Sequence, residues 1–68
     1  MDIVVRLGKR VRELRIAAGL SQEELAFRAD MKRSYVSDLE RGTRNPSVRA
    51  LERLAIALGV AASALLED

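Results

Sequence analysis

Sixty-eight residues suffice for one small domain, near the lower limit for a core that folds unaided. The chain contains no Cys and no His, which excludes a disulfide framework, the usual zinc sites, thiol redox chemistry and His-based acid–base catalysis. Twelve Lys and Arg against ten Asp and Glu leave a net charge of +2, a mild cationic bias whose distribution matters more than its size.

Apolar residues make up 49% of the chain, drawn mostly from Leu, Ala and Val, and only Phe27 and Tyr35 are aromatic. One Pro, four Gly and no period-two alternation predict a single all-α domain over residues 1–68. The first helix is marked by Val4, Leu7, Val11, Leu14 and Ala18, which recur as one stripe. Gly19 stands where a helix end takes a left-handed residue, and Leu20 can fold back on the last turn. A second helix opens at Ser21, an N-cap with Glu24 completing a capping box and Leu20 with Leu25 as a hydrophobic staple, and ends near Ala29.

A third helix spans about 33–41, with Val36 and Leu39 inward and Gly42 ending it. Residues 43–46 form a loop, because the residue before Pro46 disfavours α geometry. Ser47 caps a fourth helix whose face is Leu51, Leu54, Ala55 and Leu58, and Gly59 ends it. A short fifth helix covers about 62–66. The longest nearly apolar stretch, Ala57 to Leu66, is too short to span a bilayer, and the N-terminus lacks a signal peptide's charged region. A cytoplasmic location without membrane attachment is therefore expected.

Cations cluster in two places. Residues 6–15 carry Arg6, Lys9, Arg10, Arg12 and Arg15 against Glu13, and residues 32–44 carry Lys32, Arg33, Arg41 and Arg44 against Asp38 and Glu40. The segment between, with Glu23, Glu24, Arg28 and Asp30, is net acidic. On charge alone a polyanionic partner and ordinary solvated helix faces both remain open.

The second and third helices, joined by a tight turn, have the pattern of a helix-turn-helix over about 22–41. Ala26 stands where the two helices nearly touch, with Leu25, Ala29, Met31, Val36 and Leu39 facing a common core. Gly19-Leu-Ser-Gln-Glu-Glu-Leu-Ala26, Tyr35-Val-Ser-Asp-Leu-Glu-Arg-Gly42 and Arg44-Asn-Pro-Ser47, in this order and spacing, resemble the phage-repressor and Cro-like (XRE) family of DNA-binding domains over nearly the whole chain. Arg33-Ser-Tyr-Val-Ser37 followed by Arg44-Asn45 looks most like the small controller proteins of restriction–modification systems.

The resemblance implies a compact five-helix lambda-repressor-like domain whose third helix enters the major groove of double-stranded DNA. It makes Lys32, Arg33, Ser34, Ser37 and Asp38 candidates for base or nearby phosphate contacts, with Arg33 suited to guanine O6 and N7. Tyr35 either gives its hydroxyl to a phosphate or is a core-edge side chain. Gln22 matches the position that clamps a phosphate, the alternative being an exposed amide without a partner, and Arg41, Thr43, Arg44 and Asn45 would track the backbone. Arg15 and Glu40 match an ion pair between the first and third helices, whereas Arg10 and Arg12 are either surface cations or approach the DNA backbone.

Three positions depart from the family pattern. Asp30 replaces the usual turn Gly, Lys32 the usual cap of the third helix, and Ala61 the usual cap of the fifth. Phe27 should point away from the core.

A transcriptional regulator acting as a homodimer on an inverted-repeat operator is the leading expectation, since one monomer reads too few base pairs. Dimerisation would use this domain's own surface, for which Ala57, Val60, Ala61, Ala64 and Leu65 are the candidates; the alternative is that these residues only close the core. An antitoxin or protein-interaction module on the same fold is the rival, resting on Phe27 and the Ala-rich surface. An enzyme is disfavoured, because catalysis would fall to carboxylates such as Asp38 and Glu40 among cations. No cofactor, metal or small-molecule ligand is implied.

Overall fold

The computed structural model describes residues 2–67. Four α-helices follow one another, α1 (Ile3–Ala17), α2 (Gln22–Arg28), α3 (Arg33–Glu40) and α4 (Val48–Leu58), before a short 3-10 helix at Ala62–Leu66. The expected fifth helix is thus a 3-10 turn of five residues, and Ala61 before it supplies no side-chain cap.

Side-chain caps set most of the helix starts. Asp2 accepts from the Val4 N–H at 2.7 Å, an N-cap that the apolar stripe alone does not reveal. Ser21 and Glu24 form the full capping box: the Ser21 hydroxyl accepts from the Glu24 N–H at 3.0 Å, and Glu24 accepts from the Ser21 N–H at 2.9 Å. Ser47 accepts from the Ala50 N–H at 3.1 Å. At Lys32 no side chain caps α3.

The ends of all four α-helices share one geometry, in which two N–H groups beyond the helix return to its last free carbonyls. After α1, Leu20 N–H reaches the Arg15 carbonyl and Gly19 N–H that of Ile16; after α3, Thr43 reaches Asp38 and Gly42 reaches Leu39. After α2 the same turn places Asp30 at φ 55°, the one non-glycine residue with positive φ among those described. Gly42 is needed twice over, since its φ is +77° and a Cβ there would meet Val5 at 3.1 Å.

The core lies where α1, α2, α3, α4 and the 3-10 helix converge. Val11, Leu25, Val36, Leu39, Leu54 and Leu65 are fully buried at its centre, with Ala26, Ala29 and Ala55 buried beside them. One sequence expectation changes. Ala18 is exposed, because α1 ends at Ala17 and the chain turns so that Leu20 takes the buried place. Met31 faces the core as expected, half-buried and packed against it.

One approach escapes any reading of the apolar stripe. α1 crosses α3 at Gly8, where an added Cβ would lie 2.2 Å from the Leu39 carbonyl oxygen. The only sequence signal for it is a Gly inside an otherwise unbroken helical pattern, where Ala would favour the helix by about 0.5–1 kcal/mol.

Candidate nucleic-acid interface

Because Val36 and Leu39 are anchored in the core and Glu40 is turned toward α1, the opposite face of α3 turns outward. Lys32, Arg33 and Ser34 at its N-terminal end are exposed, Tyr35, Ser37 and Asp38 are half-buried, and Arg41 is exposed at its C-terminal end. Thr43, Arg44 and Asn45 continue the exposed surface into the following loop. Thr43 Oγ1 donates to the Asp38 carbonyl at 3.0 Å, which folds that loop back on α3. Arg44 then lies with its guanidinium carbon 4.6 Å from the centre of the Tyr35 ring, a cation–π contact. Asp38 accepts from Arg41 on one carboxylate oxygen and, at 3.5 Å, from Arg44 on the other.

Behind this surface a polar network fixes α3 to its neighbours. Arg15 donates to both oxygens of Glu40, from Nε at 2.7 Å and Nη2 at 3.0 Å, and its Nη1 donates to the Leu20 carbonyl at 2.8 Å. The Glu40 side chain is 4% exposed and that of Arg15 13%, so the pair is largely desolvated. Its hydrogen bonds to Glu40 raise the Arg15 pKa, and burial opposes them less strongly. Gln22 Nε2 donates to the same carboxylate at 3.1 Å. The amide nitrogen carries two hydrogens, so one is left for an acceptor outside the protein. Arg15, Ser21, Gln22, Glu23 and Arg33 line an open hollow of about 360 Å³ between the starts of α2 and α3.

The N-terminal cationic cluster divides in space. Arg10 Nε donates to the Ala64 carbonyl at 2.9 Å and its guanidinium lies 3.6 Å from Glu67, while Arg6 reaches the Leu66 carbonyl at 3.5 Å. These two cations tie the C-terminal turn to α1. Arg15 is in the buried pair. Lys9 and Arg12 remain exposed. Sequence separations of 54 and 60 residues hide these tethers from any local reading.

The C-terminal candidates separate likewise. Ala57, Val60 and Ala64 are half-buried and Ala61 is exposed, but Leu65 is 0% exposed and has no surface to offer a partner. Its assignment to an interface is corrected: it closes the core. Ile56, 73% exposed, and Leu66 lie in the same stretch and were not marked by the helical pattern. Phe27 is 86% exposed, pointing away from the core as expected. Among the described residues no helix is long and apolar enough to cross a membrane, and no cluster of metal-ligating side chains occurs.

A profile described as helix-turn-helix matches residues 11–65. The chain belongs to the XRE-type helix-turn-helix family. It is 45% identical over 67 residues to Control protein C.BamHI of Bacillus amyloliquefaciens, covering 97% of this chain and 83% of that protein. The Immunity repressor protein of Bacillus phage phi105 is 42% identical over 62 residues, a match of 91% of this chain and 43% of the repressor. Among solved structures, the restriction-modification controller protein C.AhdI from Aeromonas hydrophila aligns with a TM-score of 0.90 at 50% identity, over 91% of this chain and 94% of that one. The family is one of DNA-binding transcriptional regulators and not of enzymes, and in this chain α2 and α3 are the helix-turn-helix.

Proposed function

We propose that this chain is a sequence-specific transcriptional regulator that binds an inverted-repeat operator in double-stranded DNA as a cytoplasmic homodimer. The observation that carries the proposal is the exposed N-terminal end of α3, with Lys32, Arg33 and Ser34 outward over a core-anchored Val36 and Leu39. A recognition helix meets base edges with this end. Gln22, Arg41, Thr43, Arg44 and Asn45 flank it and supply backbone contacts, with Tyr35, Ser37 and Asp38 on the helix itself. The likeness to C.BamHI and C.AhdI favours a controller of restriction–modification genes.

Dimerisation through Ala57, Val60, Ala61 and Ala64, joined by the exposed Ile56 and Leu66, would set two copies of α3 about one DNA turn, roughly 34 Å, apart. A dimer neutralising roughly 6–10 phosphates loses affinity steeply with salt, with a slope of about −0.9 per phosphate. Enrichment of random duplexes on the purified protein tests the whole reading. It should return a two-fold symmetric consensus, with light scattering giving a dimer; no enrichment would overturn it.

The rival, an antitoxin or interaction module, is favoured by one observation, the exposed Phe27. A stable complex with another protein, combined with failure to select any duplex, would decide for it.

A further inference from the structure

Asp38 presents a paradox. It is a carboxylate on the face of α3 that meets a polyanion, in a chain whose other acidic residue on α3, Glu40, is buried against Arg15. Yet Asp38 is not bare. One oxygen accepts from Arg41, one turn along the helix, and the other from Arg44 at 3.5 Å. Arg44 is brought there by the turn that Thr43 closes on the Asp38 carbonyl, and is stacked over Tyr35 at 4.6 Å. The Asp38 side chain is 30% exposed, which leaves it accessible to a ligand in the groove.

We propose that Asp38 is a specificity-determining residue that acts as an internal substitute for phosphate, holding Arg41 and Arg44 back from non-cognate DNA. The inference rests on the reading of α3 as the DNA-facing helix. Non-specific affinity comes from cations that replace counterions on phosphates. An arginine that turns fully to a phosphate gives up its bond to Asp38, and when Arg41 and Arg44 both do so the carboxylate is stranded beside the phosphates with no donor. A base that offers an exocyclic amine in the major groove, such as cytosine N4, gives Asp38 a new donor and frees both arginines at no such cost. The arginines are thus released in full only on a duplex with that base in register. Asp38 works by penalising wrong sequences.

The test compares wild type with Asp38→Asn on two probes, the duplex selected above and a scrambled duplex of equal length and composition, by fluorescence anisotropy across a salt series. Asparagine keeps the shape and removes the charge that holds the arginines. Asp38→Asn should bind the scrambled duplex about tenfold more tightly, with a salt slope steeper by about one to two units, and the ratio between probes should fall. Glu52→Gln, at an exposed carboxylate on α4, removes the same charge elsewhere and should leave the ratio unchanged. In an Arg41→Ala, Arg44→Ala background the salt-slope increase from Asp38→Asn should disappear, since no cation remains to be released onto phosphate. Unchanged binding of Asp38→Asn to the scrambled probe, or an equal gain in Glu52→Gln, would overturn the proposal. A wild type that cannot distinguish the two probes would instead overturn the DNA-facing reading beneath it.

Discussion

The carbonyl oxygen of Leu39 in α3 lies so close over Gly8 of α1 that no side chain fits between them, a Cβ falling 2.2 Å from the oxygen. Helix propensity and packing therefore oppose each other at this residue. Propensity alone would make Gly8→Ala stabilising by about 0.5–1 kcal/mol. The contact is with backbone, which cannot rotate away, so the substitution must separate the two helices at a cost of about 1–3 kcal/mol. Urea unfolding of Gly8→Ala should show a lower midpoint; a higher one would mean that α1 and α3 do not cross here.

The Arg15–Glu40 pair should behave as a desolvated unit. Glu40→Ala strands the Arg15 guanidinium and is expected to destabilise by about 3–5 kcal/mol, a large part of the stability of so small a domain. Replacing both residues by apolar ones of similar size should cost less than Glu40→Ala alone. A double-mutant cycle in denaturant measures this. Strictly additive losses would contradict the paired geometry.

Asp30 holds a left-handed conformation at φ 55° where a glycine has no steric penalty. Asp30→Gly should raise stability by about 0.5–1 kcal/mol, seen as a Tm increase of several degrees in calorimetry. Lys32→Ser, which adds the missing cap to α3, should contribute about 1 kcal/mol more.

The Glu24 carboxyl titrates below its ordinary value, first because the Ser21 backbone N–H bonds to it, then through the Ser21 side chain, with Arg28 assisting. A pKa lowered by folding contributes stability that is present above the unfolded value and lost as pH falls through the folded one. Wild type should therefore exceed Glu24→Gln in Tm near neutrality. The difference should shrink as pH falls through the lowered folded value, below which both side chains are neutral. A gap that persists in acid would remove the charge from the explanation.

Arg33 and Arg44 should fail differently when truncated. Arg33→Ala is expected to weaken the selected duplex by about 1–3 kcal/mol and to relax the consensus at one base position. Arg44→Ala should leave the consensus unchanged, weaken the selected duplex more than a scrambled one, because Asp38 holds Arg44 back from the latter, and make the salt slope on the selected duplex shallower by about one unit. Repeating the duplex selection with each variant separates the two; an unchanged consensus for Arg33→Ala would remove it from base reading.

The amino-acid sequence by itself determined the four α-helices, the Ser21 and Ser47 caps and the family. Ser21 with Glu24, Ser47, Gly42 and the apolar spacing of α2 and α3 are local signals, complete within a few residues, and local hydrogen bonding satisfies them wherever the helices pack. Arg15 and Glu40 could be matched only through the resemblance, because nothing local links residues so far apart in the chain. The tertiary structure alone decided the rest. It tied Arg6 and Arg10 to the C-terminal turn, sealed Leu65 into the core, required glycine at Gly8, and set Asp38 between two arginines on the face turned outward. Periodicity states which side of a helix is apolar. It does not state how closely or at what angle two helices cross, and that geometry decides which charges reach one another and which remain for DNA.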